Sequence, residues 1–275
     1  MKGALAALAL AVALAVGPAR AADGVSLDGR FIQGGLVHGQ APAGARVILD
    51  GQAVAVAPDG RFLLGFGRDH APKAELVVHL PDGRRVVRAI EVEQRRYDVR
   101  RLTGLAAKFV TPDPEDVKRI ARDRAAIVAV RGQAPGTPAF DAGFAWPAIG
   151  PVSGVFGSQS ILNGEPRAPH NGVDVAAPVG TPVGAMADGT VVLAEPDMFL
   201  TGQSVLIDHG LGLSSVYIHM SAITVQVGER VRKGQMIGRI GGTGRTTGPH
   251  LHWGVNLGQT ALDPALLVGP MPSGQ

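Results

Sequence analysis

Short apolar runs separated by turn residues recur between residues 22 and 102. Asp-Gly pairs stand between neighbouring runs and supply the positive φ that tight hairpin turns require. Runs of this length, rich in Val, Ile, Leu and Phe, are typical of antiparallel strands. We therefore predict a small all-β domain over residues 22–102, an Ig-like β-sandwich, with strands at 47–49, 52–56, 61–66, 74–80 and 85–88.

A helical pattern follows the first group of strands. Asp113 suits the N-cap and Pro114 the first helical position, and acidic residues occupy the first turn. Apolar residues then recur on one helical face, at Val117, Ile120, Ile127 and Val128. We predict a helix that ends near Arg131, inside a helical linker of residues 103–145 whose Gly/Pro-rich part marks a domain boundary.

Strand-like runs return after Trp146 and continue almost to the C-terminus. The pattern predicts a second β domain over residues 146–268, followed by a tail of residues 269–275. We expect one largely antiparallel, twisted sheet with a groove at one face. Its predicted strands lie at 189–193, 204–207, 214–218, 223–227, 236–240 and 251–255.

The first residues have a pattern of their own. A basic start is followed by an apolar run over residues 4–16 and by Ala19-Arg20-Ala21, which is typical of a signal peptide over residues 1–21. The run is short for a membrane span, so no stable membrane insertion is expected after its removal. The chain has no cysteine, which excludes disulfides and a lipid-modified cysteine. We expect a periplasmic or secreted protein.

The charge of the chain gives no support to nucleic acid as a partner. The formal net charge is +3, and removal of the basic residues at positions 2 and 20 lowers it to +1. The remaining basic residues are dispersed, so nothing supports binding to nucleic acid. Three histidines of the first domain, His38, His70 and His79, have no chelating neighbours and are expected to be ordinary surface or strand residues.

Two remote segments carry the candidate chemistry. On an extended strand, residues two apart point the same way, so His250 and His252 would share a face. On the same basis His170 and Asp174 would share a face, with Gly172 leaving open space between them. Two imidazoles and a carboxylate that converge make a plausible catalytic zinc site that keeps a fourth position for water.

These motifs, together with Tyr217-Ile218-His219-Met220, resemble the M23 (lysostaphin- or LytM-type) zinc endopeptidase family. The resemblance covers roughly residues 146–268. Neighbouring segments also match, namely Trp146-Pro147, Phe156-Gly157, residues 172–178 and the loop of residues 241–248. One departure concerns the Phe-Gly pair, which many members follow with an arginine and this chain follows with Ser158-Gln159-Ser160.

The resemblance implies a role for each of five residues. His170, Asp174 and His252 are implied as ligands of Zn²⁺. His219 and His250 are implied as the two non-ligand histidines, which accept a proton from water, stabilise the oxyanion and protonate the leaving amine, in a division of labour left open. The implied function is a secreted zinc metalloendopeptidase that hydrolyses peptide bonds of bacterial cell-wall peptidoglycan, with peptidoglycan as its partner.

Two other functions compete with this interpretation. A non-catalytic LytM-like module would bind and activate another wall hydrolase, but such modules usually lack one or more of the five residues, all of which are present. A lipoyl- or biotin-carrier-like domain is suggested by residues 178–183 and 231–235, yet it leaves the histidines unexplained. The glycine-rich loop of residues 241–248 lacks the phosphate-binding pattern, so nucleotide binding is not expected. His209, in a predicted hairpin turn, is expected to have a structural role or to orient a metal ligand.

Overall fold

A computed structural model describes residues 23–103, 113–131 and 137–272. These residues form a mainly β protein with an α-helix between two groups of antiparallel sheets. The predicted signal peptide and the Gly/Pro-rich boundary at 132–136 lie outside the described residues. No helix in the described ranges is both long and apolar enough to cross a membrane.

The N-terminal part forms two small sheets around a common core. One sheet has the strand order β1-β2-β5 and the other β4-β3-β6-β7, and Phe62, Phe66 and Leu76 lie fully buried among them. The Ig-like assignment stays a prediction. The strands are β1 (Ser26–Gly29), β2 (Leu36–Gln40), β3 (Arg46–Leu49), β4 (Gln52–Val54), β5 (Arg61–Gly65), β6 (Lys73–His79), β7 (Arg85–Glu91) and β8 (Val99–Leu102).

The predicted helix is observed as α1 (Pro114–Val130), with Asp113 at the N-cap position. The Asp113 side chain makes no capping hydrogen bond, so its contribution is only the extended backbone conformation. The predicted apolar face is wrong in part, because Val117 and Val128 are 50% and 44% exposed. Ile127 and Val130 instead pack the helix against a cluster of Leu193, Met198 and Leu206.

The C-terminal part is dominated by one large antiparallel sheet. Its main strand order is β17-β14-β15-β16-β19-β12-β9, with β13, β18 and β20 attached, while β11, β10 and β8 form a separate small sheet in which β10 and β8 are parallel. The strands are β9 (Val152–Gly154), β10 (Gln159–Leu162), β11 (Glu165–Pro166), β12 (Val173–Ala176), β13 (Pro182–Gly184), β14 (Gly189–Met198), β15 (Gly202–Asp208), β16 (Leu213–Ile223), β17 (Arg230–Val231), β18 (Met236–Ile240), β19 (His250–Leu257) and β20 (Thr260–Leu262), and a short 3₁₀ helix follows at Pro264–Leu266.

One strand prediction is wrong. Residues 224–229 form no strand, because a turn at Gly228 reverses the chain between β16 and β17 and leaves Val227 63% exposed. Val225 still packs against the core, so the apolar pattern of this segment reflects partial burial without strand pairing.

The middle of the large sheet positions the candidate site. β16, β19 and β12 are neighbours, and their inward side chains include the fully buried Tyr217, Leu251, Trp253 and Val175. Because strand residues alternate between faces, the residues between these apolar positions point to the opposite face. The candidate residues of β12 and β19 occupy those outward positions.

The N-terminal part contacts the large sheet beside this site. The Arg95 Nη1 donates to the Asp263 carboxylate across 2.7 Å, and Arg68 Nε donates to the Gly157 carbonyl across 2.7 Å. The Tyr97 ring lies between these two arginines, 4.6 Å from the Arg68 guanidinium and 5.2 Å from that of Arg95. The N-terminal part therefore contacts the turn that leads into the His170 segment.

Candidate metal centre

The register between β12 and β19 brings two candidate ligands together. Asp174 lies directly opposite His252, and Ala176 lies directly opposite His250. Cross-strand partners in an antiparallel pair have Cβ atoms about 5 Å apart, so their outward side chains meet. The expectation that His250 and His252 share a face agrees with this register.

His170 reaches the same place from a loop. β12 begins only at Val173, so the argument that placed His170 and Asp174 on one strand is wrong, although the two side chains do meet. Backbone hydrogen bonds hold the loop: His170 N donates to the Ser158 carbonyl across 2.8 Å, and Gly157 N donates to the His170 carbonyl across 2.8 Å. A tertiary contact with the turn at Gly157-Ser158, and not strand alternation, therefore brings the His170 side chain to Asp174.

Gly172 also differs from its predicted role. A Cβ atom at this position would lie 2.4 Å from the Trp253 carbonyl oxygen and 2.8 Å from His252 Nε2. Gly172 therefore leaves no open space; its small size allows the chain to approach β19 closely. Gly154 has a comparable role on the other side, where a Cβ would lie 2.2 Å from Asp174 Oδ2.

Three donor atoms converge at one point. His170 Nε2 lies 3.0 Å from Asp174 Oδ1, His252 Nδ1 lies 2.8 Å from the same oxygen, and the two nitrogens are 2.9 Å apart. Among the described residues these three form the group that could hold a metal ion. Two imidazole nitrogens and one carboxylate oxygen match the donor set of a catalytic zinc site, so the residues fit Zn²⁺.

Hydrogen bonding and burial set the protonation of this group. Val155 supplies a carbonyl that can only accept, so His170 Nδ1, 3.0 Å away, carries a proton, and Nε2 is the nitrogen that faces the other two donor atoms. Burial would raise the pKa of Asp174, but hydrogen bonds with His170 and His252 outweigh it and hold that pKa well below its usual range. Burial lowers the pKa of His252, whereas at His170 the hydrogen bond and charge of Asp174 outweigh burial and raise the pKa, so a metal would displace a proton from His170. A charged carboxylate and neutral imidazoles are the forms that bind a metal.

His219 enters the site through an irregularity in β16. Val205 pairs with Tyr217 and Gln203 pairs with Met220, so two residues of β16 oppose one of β15, which is a β-bulge. His219 adopts a φ of 64° there, a left-handed conformation that costs a non-glycine residue about 1 kcal/mol or more. The bulge directs the ring into the site, where its centroid lies 6.5 Å from that of His252.

The protonation of His219 follows from its surroundings. Its Nδ1 donates to the Thr243 carbonyl across 2.8 Å, which leaves Nε2 with a lone pair. Burial lowers the pKa of His219 to about 4, and the nearby rings of His250 and His252 add to this effect. His219 is therefore neutral at neutral pH and able to accept a proton.

His250 stands next to His219, with ring centroids 4.8 Å apart. Its Nδ1 donates to the Gly248 carbonyl across 2.9 Å, and the Thr246 hydroxyl lies 3.1 Å from the same nitrogen. Its Nε2 faces Asp174 Oδ1 at 3.8 Å, clearly further than the ligand nitrogen of His252. The five residues predicted from the sequence thus meet in one site, with two histidines beside the three donor atoms.

The comparisons agree with this geometry. A family model described as peptidase family M23 matches residues 168–264, a segment that includes all five residues. The crystal structure of an M23-type peptidase from Pseudomonas aeruginosa aligns with a TM-score of 0.67 and 31% identity, over 87% of this chain and 96% of that chain. This chain belongs to peptidase family M23.

Curated relatives match about a third of this M23 peptidase. The peptidoglycan DD-endopeptidase ShyA of Vibrio cholerae is 49% identical over 86 residues, which are 31% of this chain and 20% of ShyA. The DD-carboxypeptidase/endopeptidase Mpg of Neisseria gonorrhoeae is 42% identical over 103 residues, which are 38% of this chain and 24% of Mpg. The chain therefore spans about a quarter or less of the length of these curated relatives.

The M23 peptidase contains contributors to the site that the sequence analysis missed. The loop of residues 241–248 was assigned no role, yet its carbonyls at Thr243 and Gly248 orient His219 and His250. The sequence contained one signal for this role, because the loop leads directly into the His-x-His motif. The Val155 carbonyl, which orients His170, had no comparable signal because backbone atoms carry no residue identity.

His209 is not part of the three-donor group of the M23 peptidase. It is fully buried, and its Nδ1 donates to the Asp188 carbonyl across 2.7 Å, so its Nε2 accepts from the Ser215 hydroxyl across 2.8 Å. Ser215 in turn hydrogen-bonds the Tyr217 hydroxyl across 2.9 Å. Burial lowers the pKa of His209 to about 4, so the ring stays neutral inside this network.

Replacement of Tyr97 by alanine is expected to weaken zinc binding by about 10-fold or more, as loss of an outer support of a metal ligand typically does. The Tyr97 ring packs directly on Gly157, whose backbone holds the His170 segment. Tyr97→Phe is the matched control, because the buried Tyr97 hydroxyl has no hydrogen-bond partner among the described residues and its loss should be nearly neutral. Titration with a zinc-competing chromophore compares the two; equal affinities would contradict the expectation.

Proposed function

We propose that this M23 peptidase is a zinc endopeptidase that hydrolyses peptide bonds in bacterial cell-wall peptidoglycan. The convergence of His170 Nε2, Asp174 Oδ1 and His252 Nδ1 within 3.0 Å carries the proposal, together with membership of the family. The names of two relatives support the substrate class. ShyA is named a peptidoglycan DD-endopeptidase, and Mpg is named a DD-carboxypeptidase/endopeptidase.

The proposed location is the periplasm or the outside of the cell. Peptidoglycan lies outside the cytoplasmic membrane, and an enzyme that acts on it has to be exported. The signal peptide predicted over residues 1–21 supports export, and the absence of cysteine is compatible with either compartment.

In the proposed mechanism His170, Asp174 and His252 hold the metal, and the two other histidines handle protons. Zinc, when bound, supplies Lewis acidity that polarises a scissile carbonyl and lowers the pKa of a bound water to about 7. His219 and His250 are each held through Nδ1 by a backbone carbonyl, so each presents Nε2 to the site. One Nε2 accepts a proton from the attacking water, and a protonated ring stabilises the developing oxyanion and returns the proton to the leaving amine.

The competing function is a non-catalytic module that activates another wall hydrolase. A module of that kind has no need for two histidines whose tautomers are set by backbone carbonyls beside a metal site. The strained φ of 64° at His219 also favours catalysis, because such strain concentrates at functional sites.

We expect zinc-loaded protein to release soluble peptides with new free amines from purified peptidoglycan. Removal of zinc with a chelator should abolish the release, and one equivalent of zinc should restore it. Mass spectrometry of the products and metal analysis of the protein measure the two effects. Stoichiometric zinc with no release of wall peptides would contradict the proposal and favour the non-catalytic module.

A further inference from the structure

Helix α1 packs against the large sheet, and its C-terminal end lies beside the metal centre. Arg119 Nη2 forms an ion pair with Asp197 across 2.6 Å, and Asp123 Oδ2 accepts from the Phe199 backbone N–H across 2.8 Å. Ile127 and Val130 complete the attachment through apolar packing on the large sheet. These contacts set the position of the C-terminal end of the helix, where Arg131 is the C-cap residue.

Arg131 is partly buried at the C-terminal end of the helix. Its Nε is buried and has no hydrogen-bond partner in the part of the chain that the structure describes. Burial lowers the pKa of its guanidinium, and no acidic group counters that effect. A cation that is partly withdrawn from water and has a buried donor without an acceptor is stabilised when an anion binds beside it.

Arg131 faces a cavity that adjoins the metal centre. The cavity has a volume of ≈ 160 Å³ and is lined by Asn171, Thr201 and His252 on the side of the metal ligands. These three residues also line the larger groove that contains His170, Asp174 and His219, so the cavity and the groove are adjacent. A volume of this size holds several waters, each of which occupies about 30 Å³ in the liquid, and therefore also a carboxylate with a small side chain.

The lining of the cavity suits an anion. None of the described residues around it is acidic, while Asn171, Thr201 and Asn256 line the same cavity as Arg131 and carry polar side chains. The guanidinium is planar and presents donors in a fork that matches the two oxygens of a carboxylate. Phosphate would also suit this donor set, but a peptide substrate offers carboxylates.

We propose that Arg131 and the adjoining cavity bind a carboxylate of the substrate and thereby select peptides with a free carboxylate near the scissile bond. This rests on the proposed function, which supplies cell-wall peptides as substrates. Arg131 acts as a specificity-determining residue and lies outside the proton-transfer pair. It also places a cation beside the groove in a chain that lacks the arginine expected after Phe156-Gly157.

The test compares cross-linked wall peptides released by a muramidase with the same peptides after their carboxylates are converted to amides. Binding is measured by calorimetry on zinc-free protein, so that neither metal nor turnover is needed. We expect wild-type protein to bind the free carboxylates at least about tenfold more tightly than the amides. Arg131→Gln should bind both alike, and Arg124→Gln, an exposed arginine of the same helix, should behave as wild type.

Kinetics on the zinc-loaded protein give a second measurement. Arg131→Gln should raise KM for the free carboxylates about tenfold and leave kcat within about twofold, because the residue contributes to binding and not to proton transfer. A wild-type protein without preference for carboxylates, or an Arg131→Gln variant that keeps the wild-type preference, would overturn the proposal. A carboxylate preference in binding, without any wall hydrolysis, would refute the proposed function and leave the carboxylate site standing.

Discussion

Replacement of His170 by alanine is expected to remove bound zinc and abolish peptide hydrolysis. His170 Nε2 is one of three donor atoms, and the remaining Asp174 and His252 would leave a two-ligand site. Loss of an outer partner alone typically costs 10–100-fold in metal affinity, so loss of a ligand should cost more than about 100-fold. Zinc analysis after gel filtration and release of peptides from purified wall measure both effects.

The matched control for this variant is His79→Ala. His79 ends β6 in the N-terminal part, far along the chain from every candidate ligand, and its replacement removes an imidazole without touching the site. The control should keep one zinc per chain and full activity. A His170→Ala protein that retained stoichiometric zinc would show that the three-donor assignment is wrong.

Replacement of His250 by alanine is expected to leave zinc in place and reduce kcat by about 10²–10⁴-fold, the usual contribution of a positioned general acid or base. His250 Nε2 is 3.8 Å from Asp174 Oδ1, whereas the ligand nitrogens of His170 and His252 lie within 3.0 Å of it. The ring is close enough to exchange protons at the site and is not part of the three-donor group. Zinc content and steady-state kinetics separate the two properties.

This experiment is decisive because His250 and His252 lie on the same strand and face the same groove. If His250→Ala lost zinc while His252→Ala kept it, the two roles would be exchanged. His219→Ala is the companion variant: it should also keep zinc and lose activity, since His219 approaches the site from β16 and is neutral through burial. The pH dependence of kcat/KM in each variant then assigns the base and acid roles, because loss of the base removes the acidic limb and loss of the acid removes the alkaline limb.

The local patterns of the chain anticipated many of the elements. Strand β18 (Met236–Ile240) is observed at the predicted residues, and α1 (Pro114–Val130) ends one residue before the predicted limit. The spacing of apolar residues predicts these two elements correctly because each element packs one of its faces against an apolar surface. It failed at 223–227, where apolar residues line a turn, and on one side of α1, where Val117 and Val128 face solvent.

The sequence predicted the five residues of the candidate site, but only part of the geometry that brings them together. Alternation on β19 correctly placed His250 and His252 on one face, because that relation depends only on neighbouring backbone geometry. His170 joined the group for a different reason, through a loop held by a remote turn. The bulge at His219 was not predicted, since a register shift depends on how β16 fits β15.

The amino-acid sequence by itself determined the mainly β character, the supply of imidazoles and one carboxylate, and the resemblance to M23 peptidases. Only the tertiary structure decided which donor atoms meet, which backbone carbonyls set the tautomers of His170, His219 and His250, and that Arg131 faces a cavity beside the metal centre. The physical reason is range. Periodicity reports on neighbours a few residues apart, whereas the site joins segments separated by about eighty residues, such as His170 and His252, whose meeting depends on the packing of the whole sheet.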